Sequence, residues 1–89
     1  MMNKVWSPEA WDDYVWWQSQ DRKILKRINI LIKDIERNGV KTGIGKPEAL
    51  RNDLSGYWSR RIDQKNRLVY RIISSDLEIV SCRTHYGDH

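Results

Sequence analysis

The sequence has no phenylalanine, a single cysteine (Cys82), two prolines and two histidines (His85 and His89) in 89 residues. One cysteine excludes an internal disulfide framework and a cysteine-built zinc cage, and Cys82 reads best as a small buried hydrophobe. Two histidines are too few for a metal site without carboxylate help, so neither metal nor cofactor is expected. No apolar run approaches the ~20 residues of a membrane span, and the opening Met1–Trp6 lacks a signal-peptide core. A cytoplasmic protein with no membrane partner is expected. Repeats and low-complexity tracts are missing too. A chain of 89 residues leaves room for one domain, residues 1–89, whose small core buries roughly 60–68% of the unfolded surface.

What the sequence does have is indole and charge. Five Trp and four Tyr supply the aromatics, and 16 Lys plus Arg against 12 Asp plus Glu give a formal charge of +4. Residues 1–44 and 45–89 each hold eight basic and six acidic side chains, but the first part has three Arg and the second six. Arginine presents a planar fork that binds phosphate bidentately, whereas lysine is a hydrated point charge. An arginine-rich second half hints at phosphate; the same arginines also serve to coat a small basic domain.

Asn3 to Trp6 is short enough for one strand. Ser7-Pro8-Glu9 starts a helix with a hydroxyl cap, a proline in the first turn and an acid beside it. Ala10, Trp11, Tyr14, Val15 and Gln18 are expected on one face of that helix, with Asp12 and Asp13 opposite. Asp21 caps a second helix whose Ile24, Leu25, Ile28, Leu31, Ile32 and Ile35 recur at spacings of three and four. Asn38-Gly39 ends it. Val40 to Pro47 reads as a loop. Strands follow over Tyr57–Ile62, Arg67–Ile73 and Leu77–Thr84, joined by tight turns into an antiparallel meander. The expectation is an α+β domain with two N-terminal helices packed on one face of a twisted antiparallel sheet.

Side-chain alternation places some of the chemistry. Leu68, Tyr70 and Ile72 share an apolar face that should meet the helices, with Trp58 and Ile62 beside them. That turns Tyr57, Ser59 and Arg61 outward, where Arg61, Arg67 and Arg71 can share an uncovered concave face. In the last strand strict alternation groups Arg83 with His85 and sets Tyr86 opposite, unless the strand bends near its end.

Glu48, the meander arginines and Arg83-Thr84-His85-Tyr86 are the residues to weigh for catalysis. RNA is cut without metal when a base takes the 2′-hydroxyl proton, cations hold the phosphorane charge and an acid protonates the leaving 5′-oxygen. Glutamate, arginine and histidine suit these roles: histidine titrates near 6.5, while glutamate, near 4.3, is a weak base. On spacing alone each has a plainer reading. Glu48 follows Pro47 and fits a solvated acid, the arginines fit solvated strand positions, and the tryptophans fit core anchors.

Longer motifs narrow the choice. Trp6-Ser7, Ala10-Trp11-Asp12-Asp13-Tyr14, Gly45-Lys46-Pro47-Glu48, Leu54-Ser55-Gly56-Tyr57-Trp58-Ser59-Arg60-Arg61-Ile62, Asn66-Arg67-Leu68-Val69-Tyr70 and Cys82-Arg83-Thr84-His85-Tyr86 together closely resemble the YoeB (Txe/YoeB) toxins of the RelE/ParE superfamily. The resemblance runs from about Trp6 to Tyr86. It implies a RelE-like, microbial-RNase-like fold and a ribosome-dependent endoribonuclease that cuts mRNA in the A site and stops translation. It also implies Glu48 as general base, His85 as general acid and Arg67 as stabiliser of the transition-state phosphate. Arg51 and Arg61 would orient the RNA backbone, Tyr86 would orient or stack on the substrate, and Lys46 would favour ribosomal RNA.

The implied partners are a YefM-type antitoxin with an acidic, partly disordered tail, the ribosome, and mRNA, with a toxin homodimer left open. Operator DNA would be met only indirectly, through the antitoxin. Three features depart from the family pattern: Gly87-Asp88-His89 follow the His-Tyr pair, Asn66 stands where relatives often have histidine, and the Val40–Gly45 loop is slightly longer. A ParE-like gyrase poison and a catalytically inactive antitoxin binder are the alternatives on the same scaffold.

Overall fold

A computed structural model describes residues 2–84. Strand β1 (Asn3–Trp6) leads into helices α1 (Pro8–Gln20) and α2 (Arg22–Asn38), followed by strands β2 (Glu48–Ala49), β3 (Trp58–Arg61), β4 (Arg67–Ile73) and β5 (Asp76–Ser81). The five-stranded sheet runs β1-β5-β4-β3-β2. The expected strands β3 to β5 form an antiparallel meander, which the unexpected β2 extends at its edge, but β1 pairs parallel with β5, so the sheet is mixed. Both helices lie on one face and bury Ile28, Leu31, Ile32 and Ile35 against Leu68, Tyr70, Leu77 and Ile79.

The helix caps follow the sequence signals. The Ser7 hydroxyl accepts the Ala10 N–H with Pro8 in the first turn, and Asp21 accepts the N–H groups of Lys23 and Ile24. Gly39 closes α2 at φ 85°, a left-handed conformation that costs glycine little.

The buried face of α1 differs from the expected one. Ala10, Asp13 and Trp17 point inward, while Trp11 and Val15 are 49% and 46% exposed. Asp13 tolerates the interior because its Oδ2 accepts the Cys82 N–H at 3.1 Å, and Trp17 Nε1 donates to the Cys82 carbonyl at 2.8 Å. Trp11 packs instead beside Trp6 and Tyr14, with ring centroids 5.8 and 6.0 Å away.

That double hydrogen bond also explains why β5 stops at Ser81 rather than running to Thr84. Val69 pairs with Ser81 while the adjacent Tyr70 pairs with Ile79, which leaves Val80 as an inserted residue. The Ser7 hydroxyl holds the Val80 carbonyl at 2.7 Å. The insertion resets the alternation, so Leu77, Ile79 and Cys82 are all buried. The alternation is thus broken at Val80, ahead of Arg83, while the expected grouping of Arg83 with His85, and of Tyr86 opposite, involves residues outside those described. Burial, helped by the nearby Asp13 charge, pushes the Cys82 thiol up to about 12.

Arg60 departs furthest from expectation for its type. It lies on the helix side of β3 between Trp58 and Ile62 and is fully buried. The Val40–Gly45 segment has no regular structure, and the Arg60 guanidinium sits at its centre.

Candidate active site

The face of the sheet away from the helices carries the polar set. Glu48 is not in a loop: it forms the two-residue edge strand β2 and pairs with Ser59. Ser59 pairs in turn with Val69, and Arg61 with Arg67. Directly paired residues project to the same side, so Glu48, Ser59, Arg61 and Arg67 share the open face.

At its centre Arg67 Nη1 stands 3.1 Å from Glu48 Oε1 and donates to Ser59 Oγ at 3.3 Å. The Glu48 and Arg67 side chains are 63% and 41% exposed, so the ion pair is wet and adds little to stability. Ser59 is buried beneath them, under two solvent-exposed charges. Its outward orientation was legible from alternation, but nothing in its residue type marked it as a partner of Arg67.

The other expected site residues occupy different surroundings. Arg61 is exposed beside Arg67; its N–H donates to the Gly45 carbonyl at 2.7 Å and its own carbonyl accepts Arg27 Nη2 at 3.3 Å. Lys46 is exposed two residues before Glu48 with φ 52°, a conformation rare for a residue with a side chain. Arg51 is exposed ahead of a 3-10 turn at Asn52–Leu54 and makes no hydrogen bond or ion pair with the Glu48–Arg67 set among the described residues. His85 and Tyr86 lie outside the described residues.

Arg71 shares the open face but is already engaged. Its Nε donates to Glu78 Oε1 at 2.5 Å, which raises its pKa further, and its guanidinium lies 4.6 Å from the Tyr57 ring centroid. The cluster of free cations expected from Arg61, Arg67 and Arg71 is thus reduced to Arg61 and an Arg67 shared with Glu48.

Asn66 does more than shape the turn before Arg67. Asp63 accepts the N–H groups of Lys65 and Asn66; burial raises its carboxyl, and these hydrogen bonds outweigh that, leaving it below its usual range. Asn66 Oδ1 then accepts the Thr84 N–H at 2.9 Å, while Thr84 Oγ1 donates to the Lys65 carbonyl at 2.7 Å. The segment ahead of His85 is tied to the turn that begins the Arg67 strand. Among the described residues no group of three or more His, Cys, Asp or Glu is arranged to hold a metal ion, and no helix is long and apolar enough to cross a membrane.

A family model described as "YoeB-like toxin of bacterial type II toxin-antitoxin system" matches residues 6–86. The chain belongs to the YoeB family. It is 60% identical over 77 residues to Toxin YoeB of Synechocystis sp., covering 86% of this chain and 88% of the relative. It superposes with a TM-score of 0.91 and 46% identity on a chain of the YoeB-YefM complex from Staphylococcus aureus, covering 97% of this chain and 99% of that one. The YoeB dimer from Staphylococcus aureus matches at TM-score 0.89 and 48% identity, covering 96% and 98%. The fold is that of YoeB toxins, and Glu48, Arg61 and Arg67 sit together on the open face of it.

Proposed function

We propose that this toxin is a ribosome-dependent endoribonuclease that cuts mRNA in the A site by acid–base catalysis. The observation that carries the reading is the contact of an exposed carboxylate and an exposed guanidinium on an uncovered sheet face, Glu48 with Arg67 at 3.1 Å over Ser59. Such a pair meets the first two needs of RNA transesterification. The carboxylate takes the 2′-hydroxyl proton, and the guanidinium, released from it, follows the charge onto the phosphorane oxygens. The 2′-oxygen attacks the adjacent phosphorus, the bond to the 5′-oxygen breaks, and His85 returns a proton to that leaving oxygen. The products are a 2′,3′-cyclic phosphate and a 5′-hydroxyl.

Arg61 beside Arg67, with Lys46 and Arg51 on the flanking segments, supplies the positive field that holds the RNA backbone, and Tyr86 orients the nucleotide. Binding of this kind weakens as salt rises. A YefM-type antitoxin is the protein partner, and its acidic tail suits a chain of formal charge +4. A toxin homodimer is the second assembly we propose.

The test maps cuts in an mRNA positioned on ribosomes, with the same RNA free in solution alongside. Cuts at the A-site codon only when ribosomes are present, lost in His85→Ala, are expected. Equal cutting of both RNAs would remove the ribosome requirement. No cutting of either, together with inhibition in a gyrase supercoiling assay, would overturn the nuclease reading.

A further inference from the structure

We infer that Arg60, together with Asp34, is a positioning residue for Glu48, acting through the loop that connects α2 to β2. The inference rests on the reading of Glu48 as the catalytic base. It concerns residues on the opposite face of the sheet from the reacting groups.

A guanidinium has five N–H donors and no acceptor, and burying one requires five acceptors around it. Arg60 has them. Nε donates to the Tyr70 hydroxyl at 3.0 Å, Nη1 to the Ile44 carbonyl at 3.0 Å and to Asp34 Oδ2, and Nη2 to the carbonyls of Gly39 and Thr42, each at 2.7 Å. Three of these acceptors are main-chain oxygens of the segment that leaves α2. The Tyr70 hydroxyl in turn donates a hydrogen bond to a fourth, the Val40 carbonyl, at 2.8 Å. Asp34 closes the arrangement by accepting the Ile44 N–H at 3.0 Å and Asn38 Nδ2 at 2.8 Å. A loop with no regular structure is thus wound around one buried charge.

The glycines show how closely it is wound. A Cβ on Gly43 would stand 1.9 Å from Asp34 Oδ2, and one on Gly45 would stand 2.9 Å from Leu31 Cδ2. The residues that leave this winding are Lys46, at φ 52°, then Pro47 and Glu48. A left-handed lysine ahead of a proline persists only where its surroundings hold it.

The connection to the site is direct. Ser59, Arg60 and Arg61 are consecutive on β3. The Arg60 side chain gathers the loop on the helix side, the Arg61 N–H binds the Gly45 carbonyl, three residues before Glu48, at 2.7 Å, and Ser59 receives Glu48 on the open side. One three-residue stretch therefore fixes where the loop begins, where it ends and where the carboxylate arrives. A lysine has only three donors on a single nitrogen and cannot meet five acceptors spread around the plane of a guanidinium.

The experiment uses the whole chain with Arg60→Lys, and with Asp34→Asn as the milder variant should Arg60→Lys fail to fold. Each is studied where urea titration shows it fully folded, alone and combined with Glu48→Gln. Two readouts are taken: single-turnover cleavage of ribosome-positioned mRNA, and amide exchange at Arg61 and Leu50, whose N–H groups bind the Gly45 and Tyr57 carbonyls.

We expect the cleavage rate to fall by about 10-fold or more with KM changed less than about twofold, and Glu48→Gln to cost far less in the variant background than in the wild type. Protection at Arg61 and Leu50 should fall while the β4–β5 amides stay protected. An unchanged Glu48→Gln factor in a folded variant would overturn the inference, as would unchanged protection at both amides. Full cleavage by the single Glu48→Gln variant would instead sink the catalytic role of Glu48, and the exchange readout would still decide whether Arg60 holds β2.

Discussion

Arg60 and Arg67 are cross-strand neighbours by one register position, Arg60 pairing with Leu68 and Arg61 with Arg67, yet they answer opposite demands. Arg60 is fully buried on the helix side, and its ionic partner Asp34 retains only 17% side-chain exposure. Arg67, on the open side, is 41% exposed and touches a carboxylate that is 63% exposed. The buried arginine is committed: each donor is used, and removing it strands carbonyls and a carboxylate. The exposed one is held only by contacts for which water already competes, so under the proposed function it can exchange its carboxylate for phosphate. Burial decides which of two identical side chains is locked into the fold and which stays reachable from solvent.

The largest expected effect separates the two. Arg67→Ala should lower cleavage of ribosome-positioned mRNA by about 10²–10³, the scale of a lost transition-state charge contact, while its unfolding free energy from urea titration changes by no more than about 1 kcal/mol. Comparable loss in both measurements would erase the distinction.

Sealing of the helix side is checked by Cys82. With its thiol pushed up to about 12 from an ordinary 9.0, the thiolate fraction at pH 8 falls about a thousandfold. Alkylation should be slower by at least that factor in the folded protein than in urea; similar rates would mean that this side opens readily.

Arg60→Met should destabilise by about 3–5 kcal/mol, since Asp34 and the loop carbonyls lose their common partner. Chemical denaturation measures it, and a cost under about 1 kcal/mol would place Arg60 with the surface arginines.

The smallest effect is at low pH. The Arg60 hydrogen bond holds the Asp34 carboxyl below its ordinary 3.8, and Asp63 is also held below 3.8. A depressed carboxylate stabilises fully above the unfolded value and loses that contribution as pH falls through the folded one. Urea midpoints should therefore hold down to about pH 4 and then decline, and Asp34→Asn should flatten part of the decline. A decline as steep in Asp34→Asn and Asp63→Asn variants would move its cause elsewhere.

Much of this was legible in the sequence, for reasons that can be named. Ser7-Pro8 and Asp21 fixed both helix starts because capping is local chemistry, and alternation in Arg67–Ile73 assigned both faces of β4 because one is uniformly apolar. The parts that were not legible depend on partners distant in the chain. Asp13 looked like a solvent-facing acid because its partner is the Cys82 N–H, 69 positions on. Arg60 gave no signal because three of its five acceptors are main-chain carbonyls, which carry no residue code, and its ionic partner Asp34 lies 26 positions away. Glu48 read as a loop acid because a two-residue strand has no periodicity of its own. Its contact with Arg67 follows only from the register of β2 on β3 and β3 on β4.

The most direct test removes one oxygen atom from the substrate. A single 2′-deoxynucleotide is placed in the A-site codon of a ribosome-positioned mRNA, immediately 5′ of the bond that is cut in the all-ribose message. Attack by the 2′-oxygen requires that hydroxyl, so the account predicts no cleavage at that bond, and a 2′,3′-cyclic phosphate at the cut in the unmodified message. Persistent cleavage beside the deoxynucleotide, or a product ending in a plain 3′-hydroxyl, would contradict it.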